Sequence, residues 1–264
     1  MKVAFIGGGN MAGALIGGML QAWFQASEID VVEIDSARRT ELAERHKVLT
    51  HQAPGDWLQA SEIVVLAVKP QQMREAAAAI QPHLKQPLVL SIAAGVRAAT
   101  IGDWLATGKI VRAMPNMPAL IRAGITAAVA LPAVSAAQAA AADKILSAVG
   151  TVIWLDDEAL LDAVTALSGS GPAYVFYFIE AMQAVALELG FDQAQARALT
   201  LHTFAGAAQL AMQSHESAAA LREKVTSKGG TTAAALASFE RDKVDEAIAR
   251  AIRAAAARAR ELGS

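Results

Sequence analysis

Residues 225–236, VTSKGGTTAAAL, concentrate glycine and hydroxyl side chains immediately before a run of helix-forming alanines. The residues of interest are Ser227, Gly229, Gly230, Thr231 and Thr232. At a helix start the backbone N–H groups have no partner within the helix, and the helix dipole attracts negative charge. A simple N-cap is the alternative, but one hydroxyl residue is enough for a cap. Two glycines and a second threonine therefore indicate a loop that binds a ligand.

A second glycine cluster follows the first strand-like segment, in the sequence FIGGGNMAGAL. It fits the G-x-G-x-x-A pattern of a dinucleotide-binding turn. Gly7 allows the tight turn, Gly9 lets the backbone approach a pyrophosphate, and Ala12 permits close packing of helix on strand. A glycine turn without a ligand is the alternative, but the strand-turn-helix context favours a dinucleotide. The predicted binding residues are Gly7, Gly8, Gly9, Asn10, Met11 and Ala12.

The residues after the second strand-like segment bear on which dinucleotide is bound. Glu33 and Asp35 lie where a carboxylate accepts a hydrogen bond from a ribose 2′-hydroxyl, which favours NADH. Arg38 and Arg39 follow within one helical turn and are able to meet the 2′-phosphate of NADPH. All four are also ordinary surface charges at a helix start. The sequence therefore predicts NADH or NADPH as the coenzyme, with Asp35 and Arg38 among its contacts.

Three further loops follow predicted strands and carry residues suited to a coenzyme. In an open α/β sheet, ligands bind beyond the carboxyl ends of the strands. Each loop alone is more often a simple turn, since proline, glycine and asparagine all turn the chain. Together they would line one crevice, in which the small residues of the second loop leave room for a flat ring. The predicted contacts are Val68, Lys69, Pro70, Ala93, Ala94, Gly95, Pro115 and Asn116.

The elements that must position these residues alternate between strand and helix in the first half of the chain. Aliphatic runs typical of parallel strands covered on both faces are at 3–7, 29–34, 62–68, 88–93, 109–114 and 151–155. Helical patterns between them include 11–24, 36–45 and 70–80. Past residue 158 the strand patterns stop and helical spacing continues. We therefore predict an α/β protein, with a Rossmann-type doubly wound parallel sheet over residues 1–157 and an all-α C-terminal domain over residues 158–264.

The composition limits the classes of function. Hydrophobic residues make up 54% of the 264 residues and charged residues 18%, so much apolar surface must be buried, and oligomerisation is one way to bury it. With a net charge of −2, neither nucleic acid nor an anionic membrane is an expected partner. There is no cysteine, and the five histidines share no metal-ligand spacing, so we expect no disulfide and no metal.

The sequence shows no targeting or membrane-spanning signal. The N-terminus begins a strand-like segment at once, without a charged leader or an apolar targeting core. The most apolar stretch, at 173–189, is interrupted by Glu180 and Gln183 and falls short of the roughly 20 residues that span a bilayer. We predict a helix buried within protein, in which Glu180 needs a partner. A cytoplasmic enzyme is the expected class.

These stretches together resemble the pyrroline-5-carboxylate reductase family. The resemblance rests on FIGGGNMAGAL, AVKPQ, SIAAGV, RAMPNMPAL, SGSGPAYVFYFIEAM and VTSKGGTTAAAL, which occur in that order over nearly the whole chain. It implies a Rossmann domain followed by a helical domain that forms a homodimer, assembled further into a decamer in some members. It also implies hydride transfer from NAD(P)H to the imine carbon of a cyclic imino acid, 1-pyrroline-5-carboxylate, which gives L-proline.

The resemblance also assigns roles within the two later motifs. Thr232 would be catalytic, because it would donate or relay a hydrogen bond at the imine nitrogen. The substrate-binding residues would be Ser170, Gly171, Ser227, Gly229, Gly230, Thr231 and Thr232, with the substrate carboxylate at the helix start. Lys228 replaces a proline usual in the family, and Met117 replaces a threonine near the nicotinamide. A small hydroxyl residue is common where this chain has Asp35.

Two other classes of function are weighed against this interpretation. The 3-hydroxyacid dehydrogenases also join a Rossmann domain to helices, and they resemble one another in a lysine and an asparagine on one helix of the second domain. The helix after SGSGP has no lysine here, which counts against that group. A nucleotide sensor without turnover would need no substrate loop, so SKGGTT and SGSGP count against that class.

Overall fold

The computed structural model describes residues 1–263, which form two compact units. The first unit contains residues 1–170 together with the end of the chain from Ala255, and the second contains residues 171–254. This division by contacts follows Ser170, whereas the predicted boundary near residue 157 marks the point where strand patterns stop. That sequence boundary stays a prediction.

The first unit is built on an eight-stranded sheet. Its strands are β1 (Val3–Ile6), β2 (Ile29–Val32), β3 (Leu49–His51), β4 (Ile63–Leu66), β5 (Leu88–Ser91), β6 (Ile110–Met114), β7 (Gly124–Ala130) and β8 (Gly150–Trp154). Their order is β3-β2-β1-β4-β5-β6-β7-β8, and all neighbours are parallel except β6 and β7. The predicted α/β class with a doubly wound sheet is confirmed, and the sheet departs from the predicted parallel arrangement only where β6 pairs with β7.

Helices connect these strands and form the rest of the chain. The first unit contains α1 (Asn10–Ala22), α2 (Ser36–His46), α3 (Met73–Ile80), α4 (Ala98–Leu105), α5 (Ala136–Leu146) and α6 (Leu160–Val164). The second contains α7 (Gly171–Glu188), α8 (Gln193–Gln213), α9 (Ala218–Lys224), α10 (Thr231–Arg241) and most of α11 (Val244–Leu262). Short 3-10 helices span Ala26–Glu28, Asp56–Ala60, Pro70–Gln72, Gln81–His83, Met117–Ile121 and Ser147–Val149, and a π-helical turn spans Thr165–Gly169.

All six predicted strands are present, with their ends moved by no more than two residues, but β3 and β7 are not predicted. β3 is three residues long and lies at an edge of the sheet, so it is too short to show a period. β7, GITAAVA, is rich in alanine, which is uncommon in strands. Its strand conformation comes from pairing with β6 and β8, which no local pattern reveals.

Two hydrophobic clusters cover the two faces of the sheet. Alternate residues of β1 divide between them, with Val3 and Phe5 in one cluster and Ala4 and Ile6 in the other. The first cluster includes residues of α1 and α5, and the second includes residues of α3 and α4. This double cover explains why the parallel strands are continuous aliphatic runs.

Two ion pairs in the first unit join the segment after β8 to the sheet. Arg112 on β6 is 2% exposed, and its Nη1 lies 2.7 Å from Oε1 of Glu158. The same oxygen accepts a hydrogen bond from the N–H of Ala98 at the start of α4. Arg97 Nη2 lies 2.6 Å from Oδ2 of Asp162 on α6, a residue only 3% exposed. Because a buried charge without its partner is strongly unfavourable, these pairs hold α6 and α4 in place.

The helices of the second unit bury little surface within one chain. Within the described residues, α7 has no buried residue and α8 has two, Ala196 and Thr200. Phe176 and Tyr177 are 54% and 72% exposed. The predicted helix at 173–189 is confirmed, but its predicted burial, including that of Glu180, is wrong for a single chain, because this unit does not supply the covering surface.

No helix within residues 1–263 combines the length and hydropathy that a bilayer crossing requires.

Two glycines on α1 provide a matched test of packing in the first unit. A methyl group on Gly18 would lie 2.5 Å from the carbonyl oxygen of Ala148, whereas one on Gly13 would meet nothing within 4 Å. We expect Gly18→Ala to lower the free energy of unfolding by about 1–3 kcal/mol, since it overpacks the contact. Gly13→Ala should raise it by about 0.5–1 kcal/mol, because alanine favours a helix interior.

Urea unfolding of the parent protein and both variants, at one protein concentration, measures these differences. Because both variants replace a glycine of the same helix by alanine, the helix preference contributes equally to each. Equal changes in the two free energies would contradict the close packing of α1 against the 3-10 helix Ser147–Val149.

Candidate active site

The turn between β1 and α1 is held tightly by neighbouring backbone. Gly7 has a φ of 99°, and its N–H donates to the carbonyl oxygen of Val32 at 2.8 Å. A methyl group on Gly7 would lie 2.8 Å from the carbonyl oxygen of Ala67, just after β4. Only glycine suits this position, because φ is left-handed and the neighbouring backbone is in contact. Ala12, on the first turn of α1, is 1% exposed and packs into the first hydrophobic cluster.

Gly9 leaves an open approach to the start of α1. Its φ of −69° and ψ of −177° suit any residue, and among the described residues a methyl group there would meet only Nη1 of Arg38, at 3.8 Å. Gly9 is the N-cap of α1 and supplies no side-chain hydrogen bond to the first turn. The N–H groups at this helix start are therefore available to an anion such as a pyrophosphate.

The two carboxylates after β2 have different environments. Glu33 is 8% exposed, and its Oε2 accepts a hydrogen bond from the Gly8 N–H at 2.8 Å while Oε1 accepts from the Asp35 N–H at 2.9 Å. Asp35 is the N-cap of α2, and its Oδ1 accepts from the Arg38 N–H at 2.9 Å. Glu33 is therefore bound to the glycine turn, whereas Asp35 stabilises the start of a helix.

A cavity of about 650 Å³ lies beside the glycine turn, bordered by α1, α2 and the 3-10 helix Met117–Ile121. Arg38, Arg45 and Arg122 line it. His46 lines it as well, and burial, followed by the positive charge of Arg45, lowers the pKa of His46 below its ordinary value. The cavity is also lined by one carboxylate, Glu41, so the three guanidinium groups leave an excess of positive charge that suits the phosphates of a dinucleotide. Arg45 and Arg122 are missed by sequence analysis because they come from separate elements.

The loops after β4, β5 and β6 emerge at one edge of the sheet, because these three strands are parallel neighbours. A second cavity, of about 300 Å³, brings Pro70 from the first loop together with Ala94 and Gly95 from the second. Asn116 in the third loop has a structural contact, since its Oδ1 accepts a hydrogen bond from the Ile125 N–H at 2.9 Å. The structure thus brings residues of the first two loops together at one cavity, and the coenzyme contacts there stay a prediction.

The predicted coenzyme contacts in these loops fall into two groups, those with accessible side chains and those with buried side chains. Lys69 is exposed and Val68 is half-buried, so both are accessible at the edge of the sheet. Ala93 is 5% exposed and belongs to the second hydrophobic cluster, and Pro115 is buried as well. The side chains of Ala93 and Pro115 therefore support their loops from inside.

Six residues that border the second cavity are not among the predicted contacts, namely Gln71, Val96, Asp162, Thr165, Ala259 and Leu262. Asp162 is paired with Arg97, which is 65 residues away along the chain. A methyl group on Gly95, whose φ is 74°, would lie 3.1 Å from the carbonyl oxygen of Leu262. The end of α11 thus packs against the loop after β5, and only long-range contacts reveal this.

Residues 225–230 form the turn between α9 and α10 in the second unit. Gly229 has a φ of 72°, and Gly230 is the N-cap of α10 without any side-chain cap hydrogen bond. The Gly230 N–H donates to the carbonyl oxygen of Ser227 at 3.0 Å. The alternative in which a serine or threonine caps this helix is therefore wrong, because a glycine holds that position. The hydroxyls of Thr231 and Thr232 are not used as caps.

The motif SGSGP lies where the chain passes from the first unit to the second. The Ser170 N–H donates to the carbonyl oxygen of Thr165 at 2.8 Å, which closes the π-helical turn. α7 begins at Gly171, with Pro172 in its first turn, where the missing N–H of proline removes no helical hydrogen bond. π-helical turns are rare in proteins, and those that do occur often lie at functional sites.

The chain is similar over its whole length to proteins of known activity. The family model for pyrroline-5-carboxylate reductase dimerisation matches residues 158–262, and that for NADP oxidoreductase, coenzyme F420-dependent, matches residues 2–95. A pyrroline-5-carboxylate reductase from Pseudomonas aeruginosa is 43% identical over 263 residues, which cover 99% of this chain and 96% of the relative. The chain belongs to the pyrroline-5-carboxylate reductase family.

Solved structures of pyrroline-5-carboxylate reductases have the same fold. One from Coxiella burnetii has a TM-score of 0.93 at 38% identity and covers 100% of this chain and 98% of that one. One from Plasmodium falciparum, with NADP bound, has a TM-score of 0.90 at 25% identity, with the same coverage. The resemblance drawn from the motifs is confirmed, and so is a Rossmann-type sheet followed by a helical region.

The first unit fits the dinucleotide that these reductases use. The open approach at Gly9 leaves room for a pyrophosphate at the start of α1, and the arginine side chains of the cavity beside it would offset part of the phosphate charge. The chain accordingly uses NADPH or NADH as its coenzyme.

The open position of Gly9 predicts how a substitution there changes coenzyme binding. Gly9→Ala fits the surrounding protein, so the midpoint of thermal unfolding should not change, but its methyl group obstructs the pyrophosphate. We expect the dissociation constants of NADH and NADPH both to rise about tenfold or more, which corresponds to about 1.4 kcal/mol. Fluorescence titration of the reduced coenzymes measures this change. Unchanged affinity in the folded variant would show that the pyrophosphate lies elsewhere.

Proposed function

We propose that residues 227–232 bind the carboxylate of 1-pyrroline-5-carboxylate while a hydride passes from NADH or NADPH to its imine carbon, which gives L-proline. This reduction, the last step of proline biosynthesis, is the activity of the family to which the chain belongs. The chain is therefore an NAD(P)H-dependent oxidoreductase. The observation that carries the proposed substrate site is the glycine cap of α10, which leaves N–H groups and hydroxyls for a ligand.

The reaction requires orientation more than chemical activation. NAD(P)H supplies the hydride when it is bound, and one proton remains on the ring nitrogen of the product. A protonated imine is already a good hydride acceptor, so the protein has to hold the carboxylate, hydrogen-bond the nitrogen and keep the ring close to the hydride donor. Such positioning accounts for a large part of the rate enhancement in many enzymes.

The start of α10 suits a carboxylate on geometric and electrostatic grounds. The N–H groups of the first turn have no partner within the helix, and Gly229 and Gly230 have no side chains to obstruct an anion. A negative charge at a helix start is stabilised by about 0.3–1 kcal/mol when exposed and by about 2 kcal/mol when partly buried. Together with direct hydrogen bonds, this supports a fixed orientation of a small acid.

Thr232 is the proposed catalytic residue. It is the second residue of α10, it is half-buried, and its hydroxyl is not used as a helix cap. A hydroxyl both donates and accepts, so it is able to donate or relay a hydrogen bond at the neutral imine nitrogen and to accept one from the N–H of the protonated imine. Thr231 is exposed and would contribute through the helix start. Ser170 and Gly171, at the break before α7, are proposed to complete the substrate contacts.

The proposed coenzyme contacts come from the glycine turn and from the loops beyond β2, β4, β5 and β6.

The two residues that depart from the family pattern, Met117 and Lys228, lie beside the proposed coenzyme and substrate sites. Met117 begins a 3-10 helix and is 55% exposed, so no hydroxyl is offered there. Lys228 is exposed in the turn before α10, where a proline would have fixed the backbone.

The chain forms a homo-oligomer, since residues 158–262 match the dimerisation domain of the family. We propose a homodimer formed through the exposed apolar helices of the second unit, and a decamer assembled from such dimers as a higher assembly. Val175, Phe176, Tyr177, Met182 and Met212 are among the large apolar residues exposed on α7 and α8. A cytoplasmic location is also proposed, as expected for an enzyme of amino-acid biosynthesis.

The role of Thr232 predicts a selective loss of turnover. Thr232→Ala should lower kcat for 1-pyrroline-5-carboxylate by about 10- to 100-fold, because a hydrogen bond made in the transition state is lost, with coenzyme affinity unchanged. The loss of NADH or NADPH absorbance measures turnover, and fluorescence titration measures affinity. Thr232→Ser retains the hydroxyl and is the matched control.

If Thr232→Ser loses as much activity as Thr232→Ala, or if coenzyme affinity falls as much as turnover, the proposed role is wrong. If the parent protein oxidises neither coenzyme when the cyclic imine is present, the proposed function itself is wrong. The two results are distinct, because the first requires an active parent enzyme.

The proposed interface predicts the effect of new charges on assembly. Phe176→Glu combined with Tyr177→Glu would place two carboxylates on the apolar face of α7, so the oligomer should dissociate to smaller species. Light scattering during size-exclusion chromatography measures the mass. Leu49→Glu on β3, where the parent residue is 54% exposed in the first unit, is the control and should leave the mass unchanged. An unchanged oligomer in the double variant would place the interface elsewhere.

A further inference from the structure

NADH and NADPH differ by one group, the phosphate on the 2′-oxygen of the adenosine ribose. In a Rossmann-type sheet this ribose lies beyond the carboxyl end of the second strand. The ionisable residues at the end of β2 are Glu33, Asp35, Arg38 and Arg39. From the sequence alone, Asp35 and Arg38 favour opposite coenzymes. Their contacts in the structure remove this conflict.

Asp35 and the two arginines are engaged in other contacts. Asp35 caps α2 through the Arg38 N–H, and such a capping role needs no ligand. The guanidinium group of Arg38 extends towards Gly9, the point of pyrophosphate approach, which is common to both coenzymes. Nη1 of Arg39 donates to the carbonyl oxygens of Glu33 and Ile34, both at 2.8 Å, so it stabilises the turn after β2.

Glu33 is held in one position by two backbone donors. Its Oε2 accepts from Gly8 in the glycine turn and its Oε1 accepts from Asp35. It is 8% exposed, and a methyl group on Gly8 would lie 3.2 Å from Oε2. An ionised carboxylate has about four acceptor positions, so each oxygen keeps one more. The result is a fixed acceptor between the end of β2 and the turn that receives the pyrophosphate.

We infer that Glu33 sets the coenzyme preference of this enzyme and selects NADH over NADPH. The remaining acceptor positions of its carboxylate suit the 2′- and 3′-hydroxyls of an unphosphorylated ribose, which donate hydrogen bonds. A 2′-phosphate has a charge of about −1.5 to −2 near neutral pH and lacks that hydroxyl, so it meets like charge instead. Because two N–H groups fix the carboxylate, it cannot rotate away at little cost. This inference rests on the proposed function.

The affinity of the unmodified protein for two coenzyme fragments tests the inference without any enzymatic turnover. ADP-ribose and its 2′-phosphorylated form carry the group that distinguishes the coenzymes and lack the nicotinamide. Isothermal titration calorimetry should show ADP-ribose binding at least about tenfold more tightly, as expected for like charges at partly screened separation. Equal affinity, or tighter binding of the phosphorylated form, would overturn the inference.

Variants identify the residue responsible. Glu33→Gln removes the charge and keeps the size, and Glu33→Ala removes the side chain. Each should reduce the ratio of NADPH to NADH dissociation constants by about tenfold, since the repulsion is gone. Asp35→Asn changes the same charge while keeping a capping group, and should leave that ratio within about twofold. Glu44→Gln, on the exposed side of α2, controls for net charge.

A ratio that shifts in Asp35→Asn and not in either Glu33 variant would overturn the assignment. Circular dichroism shows whether each variant is folded, and if both Glu33 variants fail to fold, the comparison on the unmodified protein decides. Failure of the inference differs from failure of the proposed function. In the first case the enzyme reduces the cyclic imine with NADPH at least as well as with NADH, and in the second it reduces it with neither.

Discussion

The close approach of three backbone segments at the first glycine turn is the constraint on which the first unit depends. Gly7 donates to Val32 at the end of β2 and contacts Ala67 after β4, so the turn is fixed from two directions. This contact determines where α1 begins and leaves its first N–H groups open. It also brings Gly8 within hydrogen-bonding distance of Glu33. A site for a dinucleotide thus follows from main-chain geometry that only glycine permits.

Two partly buried ion pairs connect distant segments of the same unit. Arg112 with Glu158 and Arg97 with Asp162 connect strands and helices that are far apart in sequence. Such pairs add little net stability compared with apolar packing, but they tolerate few alternative arrangements. An enzyme that works mainly by orientation needs a rigid frame around its reactants. The charges therefore matter for the shape of the loops after β5 and β8.

Features with a local signal are predictable from the sequence. The six predicted strands are largely continuous aliphatic runs. In the glycine turn, each small residue of the G-x-G-x-x-A pattern has its own steric role. The late loop is also identifiable, because SKGGTT contains more glycine and hydroxyl groups than a helix cap requires. By contrast, β7 is composed of small residues that become a strand only beside β6 and β8. The pairing of Asp162 with Arg97 depends on a distant segment in the same way.

The second unit shows why helical patterns alone mislead about burial. An apolar helix such as α7 predicts a buried position, but the sequence does not say which chain provides the cover. Because α7 and α8 bury so little within one chain, the stability of this half depends on association with other copies of the chain. Its unfolding midpoint must then rise with protein concentration. At concentrations too low for association these apolar helices stay exposed, which leaves them open to proteases and chaperones.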